Sequence, residues 1–152
     1  MKKKGPVCIV ASAGGHLVEA LKATAWLQNY EKFFVTFRIP HVQEMLDGGE
    51  CFFISFPRFD PAKYAFNLFQ SLRIYIRKKP GVIITTGGGM AVPLCLVGRL
   101  FGSRIIFIES GARVDLPSRA SRILYWIAHL CLVQWRPLLA HCPRAVYGGP
   151  LL

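Results

Sequence analysis

Residues 7–21 read VCIVASAGGHLVEAL, and this stretch decides the fold. Its first five residues are apolar without alternation, which is typical of a strand buried on both faces of a sheet. Two glycines, Gly14 and Gly15, come shortly afterwards and are followed by His16 and a segment with apolar side chains at helical spacing. A strand, a glycine turn and a helix in this order predict the first unit of a parallel α/β sheet.

The same alternation continues along the chain. Strands are predicted at residues 7–11, 32–37, 51–56, 82–85, 104–109 and 129–134. Helices are predicted between them, at residues 15–29, 41–47, 61–79, 90–101 and 118–128. Six strands separated by helices indicate one domain, residues 1–152, built on a doubly wound, mostly parallel α/β sheet. Such sheets bind ligands at the carboxyl ends of their strands, so the candidate functional residues are sought there.

The longest predicted helix, residues 61–79, begins at a proline and carries an apolar stripe. The stripe consists of Ala65, Leu68, Phe69, Leu72 and Ile76. The helix ends in Arg77, Lys78 and Lys79, where positive charge interacts favourably with the helix dipole. Proline at the start, helical periodicity and a basic end together predict this helix.

The composition narrows the class of protein. Hydrophobic residues make up 53% of the chain, which favours a membrane-contacting protein or one half of a permanent complex. The longest uncharged stretch, residues 80–98, contains a glycine triplet and a proline, so we expect no membrane span, and the N-terminus lacks a signal-peptide pattern. The five cysteines contain no Cys-x-x-Cys pair, which predicts buried, reduced thiols and no metal site. We also expect no cofactor.

The net charge of +11 is unevenly distributed. Residues 1–60 hold seven Lys and Arg against six Asp and Glu, whereas residues 61–152 hold twelve against only Glu109 and Asp115. The second part therefore presents a basic surface suited to anionic lipid or pyrophosphate. Nucleic acid is not expected as a partner, because no nucleic-acid-binding signature accompanies the basic residues.

The first candidate strand end is Ser12-Ala13-Gly14-Gly15-His16. Glycines there allow close approach to a ligand, and the helix N-terminus directs N–H groups at an anion. The helix dipole disfavours a charged His16 ring, so the neutral ring could serve as a general base for a sugar hydroxyl. Alternatively, His16 only caps the helix or packs against the sheet.

Two further strand ends carry unusual residues. Gly87, Gly88 and Gly89 could form a nest of N–H groups for a phosphate, or could simply make a turn before a buried or membrane-dipping helix. Glu109 falls at the end of a later strand and could orient a sugar hydroxyl or form an ion pair with Arg113. A nicotinamide-cofactor fold is poorly supported because the first loop does not fit G-x-G-x-x-G, although Arg38 could serve the 2′-phosphate of NADP.

Several segments taken together resemble one family of enzymes. The SAGGH loop resembles the GGTGGH loop of MurG-type glycosyltransferases, and TTGGGMAVP resembles their second glycine loop. The segment IESGARVDLPSRASRILYWIAHLCLVQW, followed by YGGPLL, resembles the acceptor-side subunit of two-chain glycosyltransferases. That family includes the membrane anchor of the eukaryotic N-acetylglucosaminyltransferase acting on dolichol-linked sugar and the bacterial PssD-like exopolysaccharide proteins.

The resemblance implies a Rossmann-like domain equivalent to the N-terminal half of a GT-B glycosyltransferase. It implies transfer of a hexose or N-acetylhexosamine from a UDP-sugar, held by a separate donor-binding subunit, to a polyprenyl-diphosphate-linked sugar. His16 and Glu109 match catalytic positions of the family. The implied acceptor and diphosphate contacts are Ser12, Gly14, Gly15, Gly87, Gly88, Gly89 and Arg113.

The remaining implied contacts are with the membrane and the partner subunit. Peripheral binding at the cytoplasmic face of the cell membrane is assigned to Arg73, Arg77, Lys78, Lys79, Arg99 and Arg104. The partner interface is assigned to Gln134, Trp135, Tyr147, Gly148, Leu151 and Leu152. An alternative is a non-catalytic protein that only recruits a catalytic partner to the membrane.

Overall fold

A seven-stranded sheet organises the chain, and the computed structural model describes residues 5–151 of it. The strands are β1 (Val7–Ala11), β2 (Lys32–Thr36), β3 (Cys51–Phe53), β4 (Val82–Gly87), β5 (Arg104–Ile108), β6 (Leu130–Val133) and β7 (Val146–Tyr147). Their order is β3-β2-β1-β4-β5-β6-β7, and every neighbouring pair is parallel. The predicted parallel sheet is confirmed, but the short strand β7 was not predicted.

The order of the strands fixes where a ligand can bind. From β1 the chain first extends the sheet in one direction through β2 and β3, and then crosses back to β4 on the other side of β1. The carboxyl ends of β1 and β4 therefore form the switch point of the sheet, where a crevice opens. Both predicted glycine loops follow these two strands.

Between residues 5 and 151, five α-helices connect the strands. They are α1 (Gly15–Ala23), α2 (Val42–Met45), α3 (Pro61–Lys78), α4 (Val92–Leu100) and α5 (Arg119–Ile127), with 3₁₀ turns at Gly89–Ala91 and Arg136–Ala140. Helix α1 ends six residues before the predicted boundary. Its last turn is closed by Thr24, whose hydroxyl donates to the Ala20 carbonyl at 2.7 Å.

Two separate apolar clusters lie on the two faces of the sheet. One contains Leu17 and Ala20 of α1 and Val42 of α2. The other contains residues of α3, α4 and α5, among them Ile74 and Leu124. Helices α1 and α2 therefore cover one face, and α3, α4 and α5 cover the other.

Helix α3 is turned in an unexpected direction. Its buried residues are Asn67, Ser71 and Ile74. Within the predicted apolar stripe Leu72 is half-buried, and the residues that face solvent are Ala65, Leu68, Phe69 and Ile76. The helix thus hides two polar side chains and exposes most of its apolar ones.

Hydrogen bonds explain this orientation. The Asn67 amide donates to the Ser55 carbonyl at 2.7 Å and to the Met90 carbonyl at 3.2 Å. The Ser71 hydroxyl in turn donates to the Asn67 carbonyl oxygen at 3.1 Å. Because buried polar groups are stable only when bonded, this small network fixes the rotation of α3 about its axis.

The cysteines agree with the prediction of free, largely buried thiols. Cys8, Cys95, Cys131 and Cys142 are buried and Cys51 is half-buried, and all five are free. Burial raises the pKa of Cys95 and Cys131 to about 12 and that of Cys51 to about 11. None of the helices described between residues 5 and 151 is both long and apolar enough to cross a membrane.

Candidate functional site

A cleft of about 980 Å³ opens at the carboxyl edge of the sheet. It brings together five of the predicted site residues, from three different strand ends: His16, Gly88, Gly89, Glu109 and Arg113. The wall is completed by Phe56, Pro57, Arg58, Phe59, Tyr64, Val92, Ser110, Ala112, Ser118, Arg119, Ala120 and Ile123. The predicted strand ends therefore meet in one place.

His16 is held by a bulge in the neighbouring strand. Thr86 is the extra residue of this bulge, because Val10 pairs with Thr85 whereas Ala11 pairs with Gly87. The carbonyl oxygen of Thr86 lies 2.9 Å from His16 Nδ1. The hydroxyl of Thr86 donates to the carbonyl oxygen of His16 at 2.5 Å. His16 is thus fastened to β4 at its ring and at its backbone.

The Thr86 contact also determines the tautomer of His16. A carbonyl oxygen can only accept, so Nδ1 must carry the hydrogen in this bond. In the neutral ring Nε2 is then left with a free lone pair and can accept a proton. The sequence left two alternatives to a general base for His16: capping of the helix and packing against the sheet. Capping is not observed, since the ring bonds to β4 and the N-cap of α1 has no side-chain hydrogen bond.

The two glycine loops touch at the floor of the cleft. A Cβ atom added to Gly88, whose φ is +97°, would lie 1.9 Å from Ser12 Oγ. A Cβ atom added to Gly89 would lie 2.9 Å from the Tyr64 hydroxyl. Glycine is therefore required at position 88 for the two loops to come together, whereas at Gly89 the neighbouring atom is the end of the Tyr64 side chain, which can shift.

The other loop residues occupy different places from those expected. Ser12 lies behind Gly88, and its hydroxyl is buried without a hydrogen-bond partner among the described residues, so it is not on the cleft wall. Gly14 and Gly15 are exposed at the start of α1. Gly87 is buried, and a Cβ atom there would lie 3.7 Å from His16 Cε1.

Glu109 is a buried carboxylate on the cleft wall, with only 3% of its surface exposed. Its Oε1 accepts hydrogen bonds from the Ser110 amide at 3.0 Å and the Ser121 hydroxyl at 2.9 Å. Burial raises the pKa of Glu109, while the bonds from Ser121 and Ser110 and the charge of Arg113 act in the opposite direction. The alternative ion pair with Arg113 is not among the salt bridges found in residues 5–151.

Three arginines line the cleft: Arg58, Arg113 and Arg119. Glu109 is the single acid on the wall formed by the described residues. This excess of positive charge suits an anionic ligand, and guanidinium groups bind phosphate oxygens in a bidentate manner. Only Arg113 was predicted; the basic excess of residues 61–152 was a general signal for Arg119, but nothing in the sequence indicated Arg58.

The cleft also has an apolar rim. Phe59 is 82% exposed at its mouth, and Phe56 and Ile123 are partly exposed beside it. Arg58 and Phe59 both adopt positive φ angles, 41° and 63°. Such conformations are costly for side chains of this size and are characteristic of functional loops.

Comparisons with known proteins assign the family. Residues 59–151 match the family model described as "Oligosaccharide biosynthesis protein Alg14 like". The chain belongs to this Alg14-like family. The family resemblance that the sequence segments indicated is thereby confirmed.

Individual relatives agree with this assignment. The UDP-N-acetylglucosamine transferase subunit ALG14 of Homo sapiens is 29% identical over 92 residues, which are 57% of this chain and 43% of the relative. The ALG14 subunit of Yarrowia lipolytica is 35% identical over 88 residues, 54% of this chain and 41% of the relative. This Alg14-like chain spans less than half the length of the curated relatives it matches.

Solved structures confirm the fold. MurG of Acinetobacter baumannii superimposes with a TM-score of 0.72 at 19% identity, over 87% of this chain and 43% of that one. UDP-N-acetylglucosamine 2-epimerase of Rickettsia bellii gives 0.74 at 11% identity, over 98% and 46%. The Alg14-like domain thus corresponds to about half of a GT-B-type chain.

The residues assigned to the membrane differ in how accessible they are. Arg73, Arg77, Lys79 and Arg104 are exposed. Lys78 is half-buried, and its ammonium group pairs with Glu50 Oε2 at 2.6 Å. Arg99 contacts the ring of His129.

The residues assigned to the partner interface also differ in how accessible they are. Gln134 is 2% exposed, and its side-chain amide is used inside the chain: it donates to the Glu109 carbonyl and accepts from the Leu151 amide. Trp135 is half-buried and donates to the Gly111 carbonyl at 2.7 Å. Tyr147 and Gly148 are exposed, Leu151 is half-buried, and Leu152 lies outside the described residues.

Proposed function

We propose that this chain is the acceptor-binding subunit of a two-chain glycosyltransferase. It moves a hexose or N-acetylhexosamine from a UDP-sugar, held by a donor-binding partner, to a sugar carried on a polyprenyl diphosphate. The observation that carries the proposal is the cleft, which combines a positioned histidine, the glycine loop after β4, three arginines and an apolar rim. The transferase names of the ALG14 relatives support the reaction class.

The cleft has the chemistry of a lipid-borne diphosphate. Arg58, Arg113 and Arg119 can pair with phosphate oxygens, and Gly88 and Gly89 allow the ligand to approach the backbone. The exposed rings of Phe56 and Phe59 lie at the mouth, where an isoprenoid chain would leave. A free nucleotide would need no such apolar exit.

His16 is the proposed general base. It accepts the proton of the acceptor hydroxyl at Nε2 while the hydroxyl oxygen bonds to the anomeric carbon of the donor sugar. The bond from that carbon to UDP breaks, and UDP leaves with the electron pair, so the configuration at the carbon inverts. Glu109 is the other proposed catalytic group, and it orients the acceptor sugar from the end of β5.

The proposal places the enzyme at the cytoplasmic face of the cell membrane. We define the outer apolar face as Phe66, Phe69 and Ile76 of α3 with Leu100 and Phe101 at the end of α4, all of them exposed. The two helices meet here, since Tyr75 stacks on Phe101 with ring centroids 5.4 Å apart. Arg73 and Arg77 on the same helix add the positive charge that anionic lipid attracts.

The test is reconstitution with a donor-binding partner in vesicles, using radiolabelled UDP-N-acetylglucosamine and sugar-diphospho-polyprenol acceptors. Transfer should require both chains. Arg113→Gln with Arg119→Gln should raise the KM for the acceptor by roughly 10- to 100-fold, because two charge-assisted contacts are lost. Arg122→Gln, also on α5 but not on the cleft wall, is the matched control.

A non-catalytic recruiter is the second candidate, and the outer apolar face favours it because this surface is separate from the cleft. The partner alone, tethered to vesicles by an unrelated anchor, distinguishes the two functions. Full transfer by the tethered partner would establish recruitment and refute the acceptor site. No transfer without this chain supports the acceptor site.

A further inference from the structure

Glu19 is a buried carboxylate that the proposed mechanism does not use. It lies on α1 and is 3% exposed. Its Oε1 accepts a hydrogen bond from the Gly111 amide at 2.7 Å and a longer one from the Ser110 hydroxyl at 3.4 Å. Its Oε2 is buried without a hydrogen-bond partner among the described residues.

Packing alone does not account for a carboxylate at this position. A buried carboxylate is costly unless its oxygens are well bonded, and an apolar side chain of similar volume is often at least as stable. Glu19 is bonded through one oxygen only. What the carboxylate supplies is therefore a specific contact, the bond to the backbone of Gly111.

This contact joins two of the elements that line the cleft, α1 and the loop after β5. Glu19 follows His16 by three residues on the same short helix, so the two side chains share one region of its surface. Gly111 lies two residues after Glu109 and two before Arg113, in the loop after β5. Through Glu19 Oε1, the short bond from Gly111 and the longer one from Ser110 thus connect the helix of the proposed base to the loop of the acceptor-binding groups.

The same loop is held independently from its other side. The Gln134 amide donates to the Glu109 carbonyl at 3.0 Å, and the Trp135 indole donates to the Gly111 carbonyl at 2.7 Å. Both contacts come from the end of β6. Glu19 therefore supplies the side-chain contact from α1, and a Cβ atom on Gly111 would come within 3.1 Å of both Glu19 Oε1 and Gln134 Oε1.

We infer that Glu19 is a positioning residue that sets the separation of His16 on α1 and Glu109 in the loop after β5. This inference rests on the proposed glycosyl transfer. Catalytic groups must be held close to their productive geometry, and a displacement of about 1 Å can cost about 100-fold in rate. Losing the Glu19 contact lets α1 and the loop move apart, so it should lower turnover more than acceptor affinity.

Three variants, assayed in the reconstituted two-chain enzyme, test this role. Glu19→Met fills the space but cannot accept the bond, and kcat should fall by roughly 10- to 100-fold with a smaller change in acceptor KM. Glu19→Gln retains an accepting oxygen and should keep kcat within about threefold of the wild type. Thr24→Val, which removes a buried hydrogen bond at the end of the same helix, should lower the urea midpoint but leave kcat unchanged.

The outcomes separate the inference from the proposed function. An inactive wild-type pair overturns both. An active wild-type pair with a fully active Glu19→Met variant overturns the positioning role alone, as does an equal loss of kcat in Glu19→Met and Thr24→Val at equal loss of stability. Loss of kcat in a Glu19→Met protein that unfolds at the wild-type urea concentration supports it.

Discussion

The cleft and the outer apolar face use their side chains in opposite ways. In the cleft, polar groups are held in place: His16 is bonded to Thr86, and Glu109 to Ser110 and Ser121. On the outer apolar face, large apolar side chains such as Phe69 and Ile76 leave most of their surface uncovered by the residues that the structure describes. One region is built for precise contacts, and the other offers area without directional contacts.

This difference indicates two separable tasks, one for the cleft and one for the outer apolar face. Directional bonds select and orient a ligand, whereas exposed apolar area supports binding to a surface of low polarity. If the division is correct, variants of the cleft should lose transfer while keeping membrane binding, and variants of the face should do the reverse.

The largest expected effect is that of His16→Ala on transfer. Loss of a general base typically lowers turnover by about 10²- to 10⁴-fold. Binding to vesicles, measured by co-sedimentation, should remain at the wild-type level. His41→Ala, which changes an exposed histidine in front of α2, is the control. If the turnover of His16→Ala stays within about threefold of the wild-type value, His16 is not the general base.

The next largest effect is expected on vesicle binding, from variants of the outer apolar face. Phe69 and Ile76 are 60% and 61% exposed, so Phe69→Ser with Ile76→Ser removes apolar area that a membrane would cover. At about 25 cal/mol per Å² of apolar surface, we expect vesicle affinity to fall by roughly 100-fold, with transfer to a short-chain, water-soluble acceptor retained. Trp26→Ser, equally exposed in the turn after α1, should leave vesicle affinity unchanged. Equal loss in both proteins would contradict a dedicated face.

A pair of glycines measures how tightly the cleft floor is built. Gly14 and Gly88 have similar φ angles, +96° and +97°, so alanine costs about 1–3 kcal/mol of backbone strain at either. Only at Gly88 does the new methyl group overlap Ser12, which adds about 1–3 kcal/mol. Gly88→Ala should therefore unfold at a clearly lower urea concentration than Gly14→Ala. Equal midpoints would show that the loops are not in close contact.

A smaller effect is expected from the charge beside the outer apolar face. Arg73→Gln should weaken binding to vesicles that contain anionic lipid by about 1 kcal/mol, close to fivefold, and should not affect binding to zwitterionic vesicles. Arg38→Gln, an exposed arginine after β2, serves as the control. A similar change with both kinds of vesicle would indicate an altered fold rather than a lost charge contact.

The smallest effect concerns the pH dependence of stability. Burial raises the pKa of Glu109 above that of the unfolded chain, so the folded protein binds this proton more tightly. The stability of the wild type relative to Glu109→Gln is therefore greatest below the unfolded pKa, and it declines as the pH rises through the folded pKa. Urea midpoints of both proteins between roughly pH 4 and 7 measure this difference. Parallel curves would place the carboxyl in a water-like environment.

Much of the sheet could be predicted because its strands are continuous apolar runs. That residues at the ends of β1, β4 and β5 line one cleft could also be predicted, since glycines and an isolated acid interrupt those runs. Strand β7 was missed because two residues carry no periodicity. The carboxyl ends of parallel strands converge for topological reasons, so a list of strand ends already describes one wall of the cleft.

The opposite wall could not be predicted. Arg58 and Arg119 belong to a loop and a helix start whose sequences are ordinary, and only the crossing of α3 and α5 over the sheet brings them to His16. The orientation of α3 was equally hidden. Periodicity defines an apolar stripe but not the direction in which it points, and here the direction is decided by carbonyl groups of Ser55 and Met90 that need a donor.

The bonds of Asn67 have a practical consequence. Because both hydrogens of the Asn67 amide are engaged, α3 cannot rotate about its axis to bury its exposed apolar side chains, even in the absence of a lipid bilayer. The purified polypeptide is therefore an amphiphile by construction. It should self-associate in plain buffer and become monodisperse once detergent micelles or nanodiscs cover Phe66, Phe69 and Ile76.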